Sequence, residues 1–261
     1  MSGHSKWSTI KRQKGVKDAK RGQAFTKLGK AITITVREGG GGDPASNFKL
    51  RLAIDQARAA NMPKDNIDRA IDRGLGPSTG VESIESVTYE AYAPGKVALI
   101  VEAVTDNKNR TTPEVRGTIE KGGGTFASRG AVSWMFADSG LITVERSGKT
   151  LDEIFEIAAD SGAEDVEDVE DVEDAGELVE VFTKPTDVEK VKNILVSKGL
   201  VVKSAEIIKK PTTTVVIDDV DVASKVLKMI DKLDELDDVQ RVYANFDIDD
   251  KILESIQGSV K

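Results

Sequence analysis

From Phe25 onward the apolar positions Phe25, Leu28, Ile32 and Val36 recur at helical spacing, and the tract Gly39-Gly-Gly-Gly42-Asp-Pro44 stops the run. A second stripe, Leu50, Ala53, Ile54 and Ala57, predicts a helix that ends near Asn61, just before Pro63. A third helix begins around Pro63, a favourable first-turn residue, carries Ile67, Ala70 and Ile71, and ends at Gly74. Ahead of these helices, residues 1–20 hold Trp7, Ile10 and Val16 as sizeable apolar side chains, with no period that would bury them. They read as a flexible arm, and residues 21–80 as a small helical domain.

After Gly74-Leu-Gly-Pro-Ser-Thr-Gly80 the period changes to two. Val87, Tyr89 and Ala91 alternate before a Pro94-Gly95 turn and the apolar strand Val97-Ala-Leu-Ile-Val101, the pattern of a hairpin. Thr112-Pro113-Glu114 reads as an N-cap, a first-turn proline and a dipole-matching acid, followed by the stripe Val115 and Ile119 and a stop at Gly122. Residues 131–136 read as a further strand. Then come strand 141–145, helix 151–160, an acidic stretch, strand 177–183, helix 186–198 closed by Gly199, and strand 200–208. If the acidic stretch hides a strand, that order is βαββαβ, which is ferredoxin-like.

A last helix, with Val222, Val226, Met229, Ile230 and Leu233 on one side, precedes a strand at Val239–Phe246. One helix and one strand are what residues 81–138 lack to complete a layer. The expected fold is therefore α+β: an N-terminal three-helix basic domain plus two α/β, ferredoxin-like domains, with 139–210 inserted into a discontinuous domain of 81–138 plus 211–250.

Charge divides the same chain. Residues 1–80 carry 16 Lys+Arg against 7 Asp+Glu, a net of +9, inside a protein whose overall net charge is −8. The bias is steepest at the start, where Lys6, Lys11, Arg12, Lys14, Lys17, Lys20, Arg21, Lys27 and Lys30 are opposed by Asp18 alone. Clustered cations of this kind neutralise phosphates and release counterions, so the expected partner is nucleic acid. Lys64, opening the third helix, joins the candidate contacts. Trp7, set among the cations, has two readings: stacking on an unpaired base, or packing on the bundle.

Other apparent motifs do not carry chemistry. Ser147-Gly148-Lys149-Thr150 has the end of a phosphate-binding loop, but the required first glycine falls at Thr143, within a strand. Gly122-Gly-Gly124 ends a helix, and a phosphate contact with Lys121 and Arg129 is the minor reading beside a plain turn. The run Glu164–Asp174 has eight carboxylates in eleven residues with valine every third position, which reads as a solvated loop and lacks the glycine and spacing of a calcium site. The absence of cysteine excludes disulfides, thiolate metal sites and a cysteine nucleophile, and the single histidine, His4, lies in the arm. No enzyme, cofactor or metal is expected. No apolar stretch reaches the roughly 18 residues of a membrane helix, and the N-terminus lacks the apolar segment of a secretory signal, so a cytoplasmic protein is expected.

Several segments together resemble a known family. Ser2-Gly-His4-Ser-Lys6-Trp7, Asp18-Ala-Lys20-Arg21-Gly22, Gly40-Gly-Gly42-Asp-Pro44, Asn61-Met-Pro-Lys64-Asp-Asn-Ile67, Thr105-Asp-Asn107-Lys-Asn109-Arg110-Thr111 and Val239-Gln-Arg-Val-Tyr243-Ala-Asn245-Phe246 look like the YebC-type proteins. The resemblance spans nearly the whole chain. It implies a helical domain with two α/β domains around a cleft, and a probable transcriptional regulator with translational-activator relatives in mitochondria. Phe48, Ala131 and the loop Thr125-Phe-Ala-Ser depart from the family pattern. The expectation is a regulator of gene expression binding DNA, or ribosomal RNA as a ribosome-associated translation factor, with a protein or peptide partner at the acidic α/β cleft as the alternative of another class.

Overall fold

A computed structural model describes residues 18–76, 84–169 and 178–258. Three helices come first: α1 (Asp18–Glu38), α2 (Phe48–Ala59) and α3 (Lys64–Leu75). The first helix starts earlier than its apolar stripe, so residues 18–20 of the expected arm are helical; Gly22 lies inside the helix without breaking it. Ile32 and Val36 of α1, Leu50, Ala53, Ile54 and Ala57 of α2, and Ile67 and Ala70 of α3 form the bundle core, closed by Met62. Asn47 caps α2, its side chain accepting the Leu50 amide at 3.1 Å. Gly74 sits where α3 crosses α1: a Cβ there would lie 2.6 Å from Val36 Cβ and 2.9 Å from the Thr33 carbonyl.

The hairpin follows as β1 (Glu85–Ala93) and β2 (Val97–Thr105), then α4 (Lys108–Lys121) and the short β3 (Thr125–Ala127). The chain next enters β4 (Phe136–Glu145), α5 (Leu151–Ser161), β5 (Asp165–Val169), β6 (Leu178–Thr183), α6 (Val188–Ser197) and β7 (Val201–Pro211). It closes with β8 (Val215–Ile217), α7 (Val220–Asp234), β9 (Val239–Ala244), β10 (Phe246–Ile248) and α8 (Asp250–Gly258).

Two four-stranded sheets result, in the orders β3-β1-β2-β9 and β5-β6-β4-β7, both wholly antiparallel. The second has the ferredoxin-like order, and it is inserted between β3 and β9 of the first. Strand β5 is the one the acidic stretch hid: Val166 lies opposite Val181 and packs on the inserted core, while Asp165 and Glu167 take the other face. The solvated-loop reading therefore fails for Asp165–Val169, and residues 170–174 of the run lie outside the described residues.

Two other expectations are corrected. Thr112 is not an N-cap. The cap of α4 is Asn107, whose side chain accepts the amides of Asn109 and Arg110, and Pro113 sits inside the helix. Proline this near a helix start loses one backbone bond without ending the helix. Residues 131–135 are not a strand either, and β4 begins at Phe136. They run through a 3-10 turn at Ser133–Met135 because the buried Glu90 carboxylate accepts the amides of Gly130, Val132 and Ser133, leaving those groups unavailable to a ladder.

Helices α4 and α7 cover one face of the first sheet, with Val115, Ile119, Val226, Met229 and Ile230 packed on Leu99, Val101 and Val242. Val132 and Phe136 cover the other face over Ala98, Ile100 and Tyr243. In the inserted sheet, α5 and α6 bury Ile154, Ala158, Val191 and Leu195 against Ile142, Val144, Val179 and Val181.

Candidate nucleic-acid interface

The three-helix bundle is clamped by both α/β units. Towards the inserted sheet, α2 turns Leu52 into that sheet's core, where it is 5% exposed. Ion pairs flank it: Arg51 with Glu189 and Lys192 with Asp55, both at 2.6 Å. Gln56 Nε2 donates to Glu206 at 3.1 Å, and the same carboxylate pairs with the half-buried Arg241 guanidinium of β9. One short segment of α2 thus meets the inserted sheet directly and reaches β9 of the first through Glu206.

Towards the first sheet, α1 lies against the turn 234–238. Gln23 donates to the carbonyl of Glu235 and to Asp237, Lys27 to the carbonyl of Asp234, and Lys30 to the carbonyl of Asp237. Asp238, 3% exposed, is the centre of this contact. Its carboxylate accepts Lys30 Nζ at 2.6 Å, Arg110 at 2.7 Å, Thr111 Oγ1 at 2.5 Å and Thr105 Oγ1 at 3.2 Å. Burial alone would raise its pKa. The hydrogen bonds from Lys30, Thr111 and Arg110 outweigh that and hold the carboxyl far below the usual carboxylate range.

These contacts sort the sequence candidates. Lys27 and Lys30 are engaged with the acidic turn, so they anchor the bundle instead of facing a free surface. Arg21 is exposed, its guanidinium 5.7 Å from the centre of the Phe25 ring. Lys64 is exposed at the start of α3. For Lys20 the backbone alone is described. Lys6, Trp7, Lys11, Arg12, Lys14 and Lys17 lie outside the described residues.

The backbone amides around the 121–130 loop are already engaged, and Lys121 and Arg129 are exposed. The amides of Gly122, Gly123 and Gly124 bond the last carbonyls of α4, and those of Gly130, Val132 and Ser133 bond Glu90. Burial raises the Glu90 pKa, and these amides more than offset it, so the loop already holds its own anion.

Sequence reasoning missed a groove of about 510 Å3 between α1 and α3. Gly22, Phe25 and Gly29 of α1 face Asn66, Arg69 and Arg73 of α3 across it, over Met62; Ile84 and Asp106 close one end. On each helix these positions follow an i, i+3, i+7 spacing, which puts them on one face. The spacing was readable, but which two faces oppose each other was not. Among the described residues, no group of three or more His, Cys, Asp or Glu could hold a metal ion, and no helix is long and apolar enough to cross a membrane.

Residues 5–77 match the model of the TACO1/YebC protein N-terminal domain, and residues 84–246 match that of the TACO1/YebC second and third domain. The chain belongs to the TACO1/YebC family. A relative in Roseiflexus castenholzii, named a probable transcriptional regulatory protein, is 52% identical over 97% of this chain and 98% of its own. One of the same name in a Sulfurihydrogenibium species is 48% identical over 99% of this chain and 100% of its own. The crystal structure of a conserved hypothetical protein from Aquifex aeolicus superposes with a TM-score of 0.82 at 45% identity, covering 90% of this chain and 94% of that one. Within this family frame, the segment Thr105–Thr111 has a structural account: Asn107 caps α4, while Thr105, Arg110 and Thr111 converge on Asp238.

Proposed function

We propose that this protein is a regulator of gene expression that binds nucleic acid through its N-terminal region and catalyses no reaction. The observation that carries the reading is the nine cations against one acid in residues 1–30 of a chain with a net charge of −8. Two of the nine, Lys27 and Lys30, hold the bundle on the α/β scaffold, leaving the others, concentrated before Gly22, for phosphates. If about six of them meet phosphates, affinity falls by roughly 10³-fold or more between 50 and 200 mM salt.

The name shared by the relatives, probable transcriptional regulatory protein, supports regulation and favours DNA. A specific observation favours RNA as the second reading. The exposed face of α3 alternates Lys64, Arg69 and Arg73 with Asp65, Asp68 and Asp72, so this helix would bring three acids into a major groove. Binding through phosphates and shape suits a folded RNA, including that of the ribosome, at least as well as a duplex promoter.

Replacing Lys11, Arg12, Lys14, Lys17, Lys20 and Arg21 together with Ala is expected to abolish binding to nucleic acid while leaving the circular dichroism spectrum and melting temperature unchanged. An unaltered affinity and salt slope in the sixfold variant would remove the arm from the account.

A further inference from the structure

The groove between α1 and α3 pairs an apolar floor with a cationic rim. Phe25 and Met62 supply a ring and a thioether, and Arg69 and Arg73 stand along one wall. Arg73 makes no side-chain hydrogen bond or ion pair with any described residue. Arg69 reaches the carbonyl of Asp65 and the side chain of Asn66, and stays exposed. The acid at the rim, Asp106, is paired with Arg110 at 3.0 Å, and Lys30 is held by Asp238. Net positive charge is therefore left at Arg69 and Arg73, beside a cavity of about 510 Å3. That volume lies in the range of small-ligand sites, roughly 300–1,000 Å3.

On α1 the groove is lined by glycine at position 22. A Cβ there would meet no atom within 4 Å. Helices ordinarily favour alanine over glycine by about 1 kcal/mol, and packing among the described residues gives no reason for a glycine at this position in the early part of α1. It leaves room for something to lie beside Phe25.

We propose that this groove receives one unpaired nucleotide of a bound RNA strand, the base against Phe25 and Met62 and the phosphate towards Arg69 and Arg73. The inference rests on the nucleic-acid reading above and gives it a second contact, on the same helix that the basic arm leads into. A planar heteroaromatic base with an adjacent phosphate matches both parts of the site: the apolar floor accepts the base face, and the arginines accept the anion. The Arg21 guanidinium, 5.7 Å from the centre of the Phe25 ring, adds positive charge near that ring.

The test uses the full-length protein with a structureless single-stranded RNA containing 2-aminopurine and with a duplex RNA of equal length. Gly22→Leu fills the groove with a better helix former, and Arg69→Ala combined with Arg73→Ala removes the anion contacts. Wild type is expected to change the 2-aminopurine fluorescence on binding. Gly22→Leu is expected to abolish that change and to weaken single-strand binding about tenfold, within the range for losing one base stack. Duplex affinity and its salt slope stay unchanged. The double arginine variant weakens single-strand binding without altering the melting temperature. Gly22→Leu behaving as wild type towards the single strand would overturn the proposal while leaving arm-mediated binding intact. Displacement of the signal by micromolar adenosine monophosphate would also overturn it, in favour of a free nucleotide. Failure of wild type to bind either RNA would overturn the RNA reading on which the proposal rests.

Discussion

Lys30 Nζ lies 2.6 Å from Asp238 Oδ1, and through this pair the helical bundle is joined to the sheet that carries the rest of the fold. Arg110 meets the other oxygen of the same carboxylate at 2.7 Å. One buried acid therefore holds two cations from elements that are distant in sequence, and the position of the bundle depends on it.

Asp238→Asn is expected to destabilise the protein by about 3 kcal/mol, because it leaves Lys30 and Arg110 facing a neutral amide. The pH dependence has a definite sign. The folded pKa lies below the unfolded value near 4, so the stabilisation is complete above about pH 4 and is lost as pH falls through the folded value. Urea unfolding curves of wild type and variant should differ most at neutral pH and draw progressively closer as the pH falls from about 4 towards about 2. A constant difference down to that pH would mean that the carboxylate charge is not what holds the junction.

Glu102 has the opposite sign. Burial raises its pKa, Lys209 and Arg241 pull it back, Asp138 pushes it up, and the Tyr243 hydroxyl reaches it at 3.5 Å. A carboxyl raised in the folded state contributes stability below the unfolded pKa and loses it as pH rises through the folded one. Glu102→Gln is therefore expected to be more stable than wild type at pH 7 and equal to it near pH 4. Thermal unfolding at the two pH values measures the difference; a variant less stable at pH 7 would contradict the assignment.

The contact between α2 and the inserted sheet is expected to be held by Leu52 more than by its salt bridges. Leu52→Ala should cost about 2–5 kcal/mol, the usual range for a buried leucine. Arg51→Ala, which removes a half-exposed pair with Glu189, should cost at most about 1 kcal/mol. Denaturant titration of the two single variants ranks them, and the reverse order would show that charge fixes this interface.

Gly74→Ala should destabilise by about 1–3 kcal/mol although alanine is the better helix former, since its Cβ would press on Val36 and the Thr33 carbonyl. Gly22→Ala, on the same bundle but facing open space, should be neutral or stabilising. Melting temperatures of the pair separate packing from propensity.

Local patterns were legible in the sequence where a single segment decided them. The stripes Leu50, Ala53, Ile54, Ala57 and Val226, Met229, Ile230, Leu233 lie in the cores expected of them. The insertion was legible because a helix and a strand near the end matched a layer left incomplete earlier. Features set by distant partners were not. Nothing near Asp238 in sequence announces Lys30 or Arg110, and Glu90 reshapes residues 130–133 across about forty positions. Thr112-Pro113-Glu114 misled because its local cap signature is real, while Asn107 offered a better cap one turn earlier with Thr105 and Thr111 already turned to Asp238. The groove was illegible for the same reason. The place of Gly22 in the groove depends on the facing residues of α3, over forty positions away.

The most direct test of the account measures binding of the full-length protein to purified ribosomes and to mixed promoter-length duplex DNA, each from about 50 to 300 mM salt. On its RNA reading the account predicts ribosome binding that persists near physiological salt, because groove and shape contacts supplement the arm, beside duplex binding that collapses with the steep slope of a phosphate-only contact. Salt-resistant binding to particular duplexes, with ribosomes ignored, would contradict it and would mean that the bundle reads base edges.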